Sequence, residues 1–143
     1  MSKLSETLEE LLAEHNLDKK SLAKAIGVSE SRITDYTIND KLPTVATIVK
    51  IADFFHCSID FLLGREYEVK CKSFKAPAPF AERIAYLRNY FKYTHKQIYN
   101  GTSIQKSSYF DWVNGKRQPS LDNIIKLADL FGCSIEFVLG REN

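Results

Sequence analysis

The chain has 143 residues, of which 44% are hydrophobic and 27% charged, with few glycines and prolines and a net charge of +2. That is an ordinary globular composition, and it excludes collagen-like and disordered classes. The N-terminal run MSKLSETLEE passes straight into an amphipathic helix pattern and does not read as a signal peptide. No apolar run approaches the roughly 20 residues needed to cross a bilayer. A soluble, cytoplasmic protein without membrane contact is expected.

The first elements are helical. Leu4, Leu8, Leu11 and Leu12 recur at helical spacing, with glutamates on the opposite face, and predict helix one. Asp18 is an N-cap for a second helix over 19–26, with Leu22, Ala23 and Ile26 inward, and Gly27 ends it at a left-handed position. Val28 turns inward. Ser29 caps a third helix over 30–36 that buries Ile33 and Tyr36. Thr44, after Pro43, caps a fourth helix bearing Val45, Ile48, Ile51, Ala52 and Phe55. Ser58 caps a short fifth helix containing Ile59, Phe61 and Leu62.

Residues 67–79 (YEVKCKSFKAPAP) then alternate apolar and polar from Tyr67 to Cys71, which predicts a short strand or extended piece. They end in a stiff Ala-Pro-Ala-Pro stretch. Beyond them the sequence repeats itself with a shift of 76 residues. Lys50-Ile51-Ala52-Asp53 falls on Lys126-Leu127-Ala128-Asp129, and Cys57-Ser58-Ile59-Asp60-Phe61 on Cys133-Ser134-Ile135-Glu136-Phe137. Over 41–66 and 117–142, 14 of 26 positions are identical without a gap. Two copies are too few for a solenoid. The expected architecture is a tandem pair: domain 1–66, linker 67–79, domain 80–143.

Charge divides unevenly between the copies. Residues 1–66 sum to −3 and residues 67–143 to +5, so a polyanion is drawn more strongly to the second half. The three cysteines are an odd number, which argues against a secreted disulfide framework. Cys57 and Cys133 occupy equivalent places and read as small core residues. His56 beside Cys57 lacks ligand spacing, so no metal site is expected.

The residues Leu22-Ala23, Gly27-Val28-Ser29, Ile33, Pro43 and Ile59-Asp60-Phe61-Leu62-Leu63-Gly64 resemble the Cro and phage-repressor helix-turn-helix family over nearly all of 4–65. The second copy resembles it over about 80–141, through Leu87-Arg88, Thr94-His95-Lys96-Gln97-Ile98 and Asn114-Gly115-Lys116-Arg117-Gln118-Pro119-Ser120. Thr94 and Gln97 have capping-box spacing. The resemblance implies an all-α fold of two tandem five-helix, lambda-repressor-like domains joined by a short extended linker. Two departures stand out: Tyr99 takes the place of Ala23, and Ser103 that of Gly27. A tyrosine at a close helix crossing predicts a reshaped, divergent second turn, with Gly101 as its new pivot.

The resemblance also implies a third helix whose N-terminal side chains read the major groove of double-stranded DNA. Carried over by position, the first copy's readers are Ser29, Glu30, Ser31, Thr34 and Asp35, with Lys19 and Arg32 near phosphates. The second copy's are Gln105, Lys106, Ser107, Ser108 and Asp111, with backbone contacts from His95, Lys96, Asn114, Lys116 and Arg117. Lys and Gln suit purine edges, and a carboxylate can accept from cytosine N4. Tyr109 and Trp112 fall on Ile33 and Tyr36 and are assigned to the core. The first copy thus keeps the motif with the wrong charge, and the second has the charge with a disturbed motif.

A DNA-binding transcriptional regulator, by default a repressor, is the expected function. The two reading heads are supplied by a homodimer or by an intrachain pseudo-dimer. The competing expectation is a protein-interaction module, such as an antitoxin, antirepressor or inhibitor scaffold, in which the acidic first domain binds a protein partner. No phosphate loop, metal spacing or nucleophile–base pattern occurs, so neither enzymatic activity nor a cofactor is expected.

Overall fold

The structure, a computed structural model, describes residues 3–65 and 74–142. The chain falls into two compact units, and every described regular element is helical. The extended piece expected over Tyr67–Cys71 lies outside the described residues.

The first unit contains α1 (Lys3–Glu14), α2 (Lys19–Ile26), α3 (Glu30–Thr37), α4 (Val45–Phe55) and α5 (Ile59–Leu62). Its boundaries follow from capping chemistry. Asp18, Ser29, Thr44 and Ser58 each accept a hydrogen bond from the backbone N–H three residues on, satisfying donors that a helix start leaves open. Gly27 closes α2 in the left-handed region, φ 75°. Packing of α2 on α3 and α4, and of α1 on α3 and α5, fully buries Leu8, Leu22, Ile33, Ile48, Ile51, Ile59 and Leu62. Each such side chain contributes about 1.5–3 kcal/mol relative to exposure. Ser5 donates to the Thr37 carbonyl and so ties the start of α1 to the end of α3.

The second unit repeats this order as α6 (Phe80–Phe91), α7 (His95–Thr102), α8 (Lys106–Val113), α9 (Leu121–Phe131) and α10 (Ile135–Leu139). Its core holds Ile84, Leu87, Ile98, Tyr109, Ile124, Leu127 and Ile135, with Trp112 edge-on to Phe80 at 6.0 Å. Tyr109 and Trp112 are therefore core residues, as their register predicts. The capping box of α7 is complete: Thr94 Oγ1 accepts from Gln97 N at 3.1 Å, and Gln97 Oε1 from Thr94 N at 2.9 Å. Cys57 and Cys133 are half-buried rather than in the core.

Both units end in the same device. Just past the last helix the chain turns back so that Arg65 pairs with Asp60 at 2.9 Å, and Arg141 with Glu136 at 2.8 Å. Arg141 is covered by the Pro-rich segment, which belongs physically to the second unit. Lys75 N donates to the Arg141 carbonyl (3.0 Å), Ala78 N to the Leu139 carbonyl (3.1 Å), and Arg141 Nε to the Lys75 carbonyl (3.0 Å). The guanidinium lies 5.4 Å from the Phe74 ring centre.

Candidate nucleic-acid interface

In each unit the second and third helices meet at a tight turn that leaves one side of the third helix outward. The turn keeps its backbone conformation in the second unit, but the crossing it makes is changed as expected: α2 packs closely on α3, whereas α7 stands off α8. Ser103 adopts φ 58° where Gly27 adopts 75°, and α2 and α7 have eight residues each. The separation follows from Tyr99, which takes the place of Ala23. Its half-buried ring reaches across to α8, against Tyr109 (5.8 Å) and Phe110 (6.1 Å), where the small Ala23 lets α2 close on α3. Phe110 stands where the first copy has Thr34, so bulk was added at both neighbouring sites together. Gly101 is not a pivot. It sits inside α7, where an added Cβ would come 3.0 Å from Leu130, and its bareness lets α9 approach.

On the second unit, Lys96, Gln105, Lys106, Ser107, Asn114, Lys116 and Arg117 are exposed around α8, while Ser108 and Asp111 are half-exposed. Lys106 opens α8 without a side-chain cap, because Gln105 accepts no N-terminal hydrogen bond. His95 is half-buried, its Nδ1 2.7 Å from the Tyr109 hydroxyl. Burial, with the positive charge of Arg88 as a smaller cause, holds the His95 pKa below the ordinary 6.5. Burial pushes the Tyr109 phenol up to about 12, partly offset by Arg88. The two atoms share one hydrogen bond, which ties the start of α7 to the core face of α8. Arg88 Nε, itself buried, has no hydrogen-bond partner among the described residues.

The first unit brings the corresponding residues to the same place with different commitments. Ser29, Glu30, Ser31 and Arg32 are exposed; Thr34 and Asp35 are half-exposed. Ser29 Oγ is engaged as the cap of α3 and lies 3.1 Å from Ser31 Oγ. Lys19 is drawn to Glu9 at 3.8 Å. Asp35, which charge counting treats as repelling a polyanion, is balanced by Asn39 (2.9 Å) and Lys41 (4.0 Å). Position-by-position transfer missed the loop residues Ile38 and Leu42, which are 60% and 46% exposed. Their apolar character opposite Asn114 and Gln118 is the sequence signal that points to them.

Two helical bundles, each with an outward helix following a left-handed turn, define a tandem helix-turn-helix protein. The chain belongs to the helix-turn-helix family of the Cro and phage-repressor type, which matches it twice, over residues 8–62 and 84–138. It is 33% identical over 61 residues to an uncharacterized HTH-type transcriptional regulator, YobD, of Bacillus subtilis, covering 43% of this chain and 54% of that protein. It is 34% identical over 71 residues to the uncharacterized HTH-type transcriptional regulator RC1195 of Rickettsia conorii, covering 47% and 65%. RP766 of Rickettsia prowazekii, of the same description, is 35% identical over 69 residues, covering 46% and 75%. The chain thus spans between about half and three quarters of these relatives' lengths. No solved structure matches it. Among the described residues no helix is long and apolar enough to cross a membrane, and no group of His, Cys, Asp or Glu could hold a metal ion.

Proposed function

We propose that the chain is a sequence-specific double-stranded DNA-binding transcriptional regulator, acting as a repressor, with α3 and α8 placed in the major groove. The second domain supplies most of the affinity. The observation that carries this reading is the set of exposed cations around α8: Lys96, Lys106 and Lys116 form no ion pair among the described residues, in the half of the chain that sums to +5. Neutralising phosphates supplies essentially all non-specific affinity and much of the specific affinity. The relatives' description as transcriptional regulators supports the same reading.

Selection of bound sequences from a random duplex library tests it. Two unequal half-sites are expected, the stronger one assigned to α8 by losing its sequence preference when Lys106 and Ser107 are replaced by alanine. A protein with no salt-sensitive retention on duplex DNA would overturn the reading.

A second reading is favoured by Ile38 and Leu42, exposed on the loop after α3. In it the first domain binds a protein partner through this loop while the second holds DNA. Replacing both with the second copy's residues, as Ile38→Asn and Leu42→Gln, would then abolish partner capture and leave duplex affinity unchanged.

A further inference from the structure

We propose that the aspartate of each recognition helix is a base-reading group held shut by a cation of the following loop, and that a DNA phosphate opens it by drawing that cation away. The inference rests on the DNA-binding reading above and adds how the site is gated.

The constellation occurs twice at equivalent positions. Asp111 Oδ2 lies 3.7 Å from Arg117 Nε, and Asp35 Oδ1 lies 4.0 Å from Lys41 Nζ. The cation changes type between copies while the pairing is kept. Helical geometry puts Ser107 and Asp111 four residues apart on one face of α8, and Ser31 and Asp35 on one face of α3. The carboxylate therefore belongs to the outward surface, not to the packed side that holds Tyr109 and Trp112.

The ion pair is not what fixes the loop. Backbone bonds do that: Lys116 N and Arg117 N donate to the Asp111 carbonyl at 2.8 and 3.3 Å, and Lys41 N to the Asp35 carbonyl at 3.0 Å. They keep the cation's backbone beside the carboxylate whether or not the charges touch. The pairs themselves are long and wet, with Arg117 and Lys41 side chains 79% and 67% exposed. Exposed pairs of this kind contribute little in water. A phosphate, which an arginine can bind in bidentate fashion, competes successfully for Arg117.

Free in solution, the negative charge of Asp111 is matched, so the recognition face does not repel a duplex. Once Arg117 moves to a phosphate, the carboxylate is left unpaired next to base edges. Of the amino donors on the major-groove edges, cytosine N4 is the usual partner of a carboxylate and satisfies it. A base pair offering only acceptors there leaves an unmatched anion against the DNA. Backbone engagement and base reading are thereby coupled: the contact that carries no sequence information exposes the one that does.

The test compares wild-type full-length chain with Asp111→Asn, on a random duplex and on the selected site with its cytosine changed. Asparagine keeps the shape and frees Arg117. Random-duplex affinity is expected to rise roughly 2–5-fold, and preference for the C·G pair at one position to fall about tenfold. Asp35→Asn should move the same way with a smaller amplitude. Unchanged thermal unfolding confirms that the variants remain folded. If Asp111→Asn binds DNA with both quantities unaltered, the gate is wrong and DNA binding stands. If preference is lost but random-duplex affinity does not rise, Asp111 reads without a gate and the coupling to Arg117 is overturned. If the wild type itself ignores duplexes, the DNA-binding reading fails instead.

Discussion

The two domains share a backbone plan and differ in almost everything they show to solvent. Residues that set the plan recur in place: the hydroxyl caps Thr44 and Ser120, Ser58 and Ser134, and the closing pairs Asp60–Arg65 and Glu136–Arg141. Outward positions have moved apart. The outer face of α1 carries Glu10 and Glu14. That of α6 carries Tyr86 and Tyr90, their rings 5.8 Å apart and stacked, with the Arg83 guanidinium 4.5 Å from the Tyr86 ring centre. Burial and capping constrain a position through neighbours that cannot change alone, whereas an exposed helix face answers only to its partner. The domain that keeps the plan need not keep the ligand.

The largest expected difference between the domains lies at their closing pairs. Arg141 is 1% exposed, whereas the Arg65 side chain is 14% exposed. Arg141→Ala leaves Glu136, also 1% exposed, without the guanidinium that balances it. Truncating one partner of a buried pair costs about 3–5 kcal/mol. Arg65→Ala should cost less, because water reaches the arginine end of its pair, although Asp60 is as buried as Glu136. Domain-resolved amide hydrogen exchange measures both, and equal losses would erase the distinction drawn from burial.

Next in size is the division of DNA affinity. Reversing charge with Lys116→Glu and Arg117→Glu removes two phosphate contacts and adds repulsion. Binding near 0.1 M salt should weaken roughly 10–100-fold at all sequences, and the salt slope should become shallower by about 2. Lys41→Glu in the first domain, a single reversal within residues 1–66 that already sum to −3, should change affinity by no more than about threefold. Titration by fluorescence anisotropy decides it. A larger effect from Lys41→Glu would transfer the affinity to the first domain.

How far the sequence carried this comparison depends on which interaction decided each feature. The caps Asp18, Ser29, Thr44, Ser58 and Thr94 act within three residues of themselves, so a single chain reveals them. The repeat revealed the architecture, because equivalent core positions must be filled alike. Tyr99 in place of Ala23 was legible as a disturbed crossing, but its partner Phe110 was not, because no local pattern reports that two enlargements face each other from different helices. The Asp35–Lys41 and Asp111–Arg117 pairs were hidden for a related reason: counting charges by half-chain does not show which ones already neutralise each other. The clasp of Lys75 and Ala78 on the chain end was hidden as well, since Ala-Pro-Ala-Pro reads equally well as a free spacer.

A smaller test concerns the starts of the recognition helices. Ser29 caps α3, but Gln105 leaves α8 without a side-chain cap. Ser29→Ala should cost about 1 kcal/mol, and Gln105→Ser should gain a similar amount. If Gln105 is kept for DNA, the stabilised variant loses duplex affinity. Improvement in both stability and affinity would deny the residue a role in binding.

The smallest expected effect isolates His95, which replaces Lys19 of the first domain. Its pKa in the folded chain lies below 6.5 because burial, and then Arg88, oppose the charged ring. Between that depressed value and 6.5 the unfolded chain holds more protons than the folded one. Stability of the second domain therefore falls as pH drops through this window, and is level above it. His95→Gln removes this contribution, so wild type should lose more protection than the variant between pH 7.5 and 5.5. On DNA the sign reverses. A phosphate near Nε2 favours the charged ring, so acidification should strengthen duplex binding by wild type more than by His95→Gln. One protonation would thus weaken the fold while strengthening the complex. Equal pH responses of the two proteins in both measurements would mean that His95 neither senses its burial nor meets a phosphate.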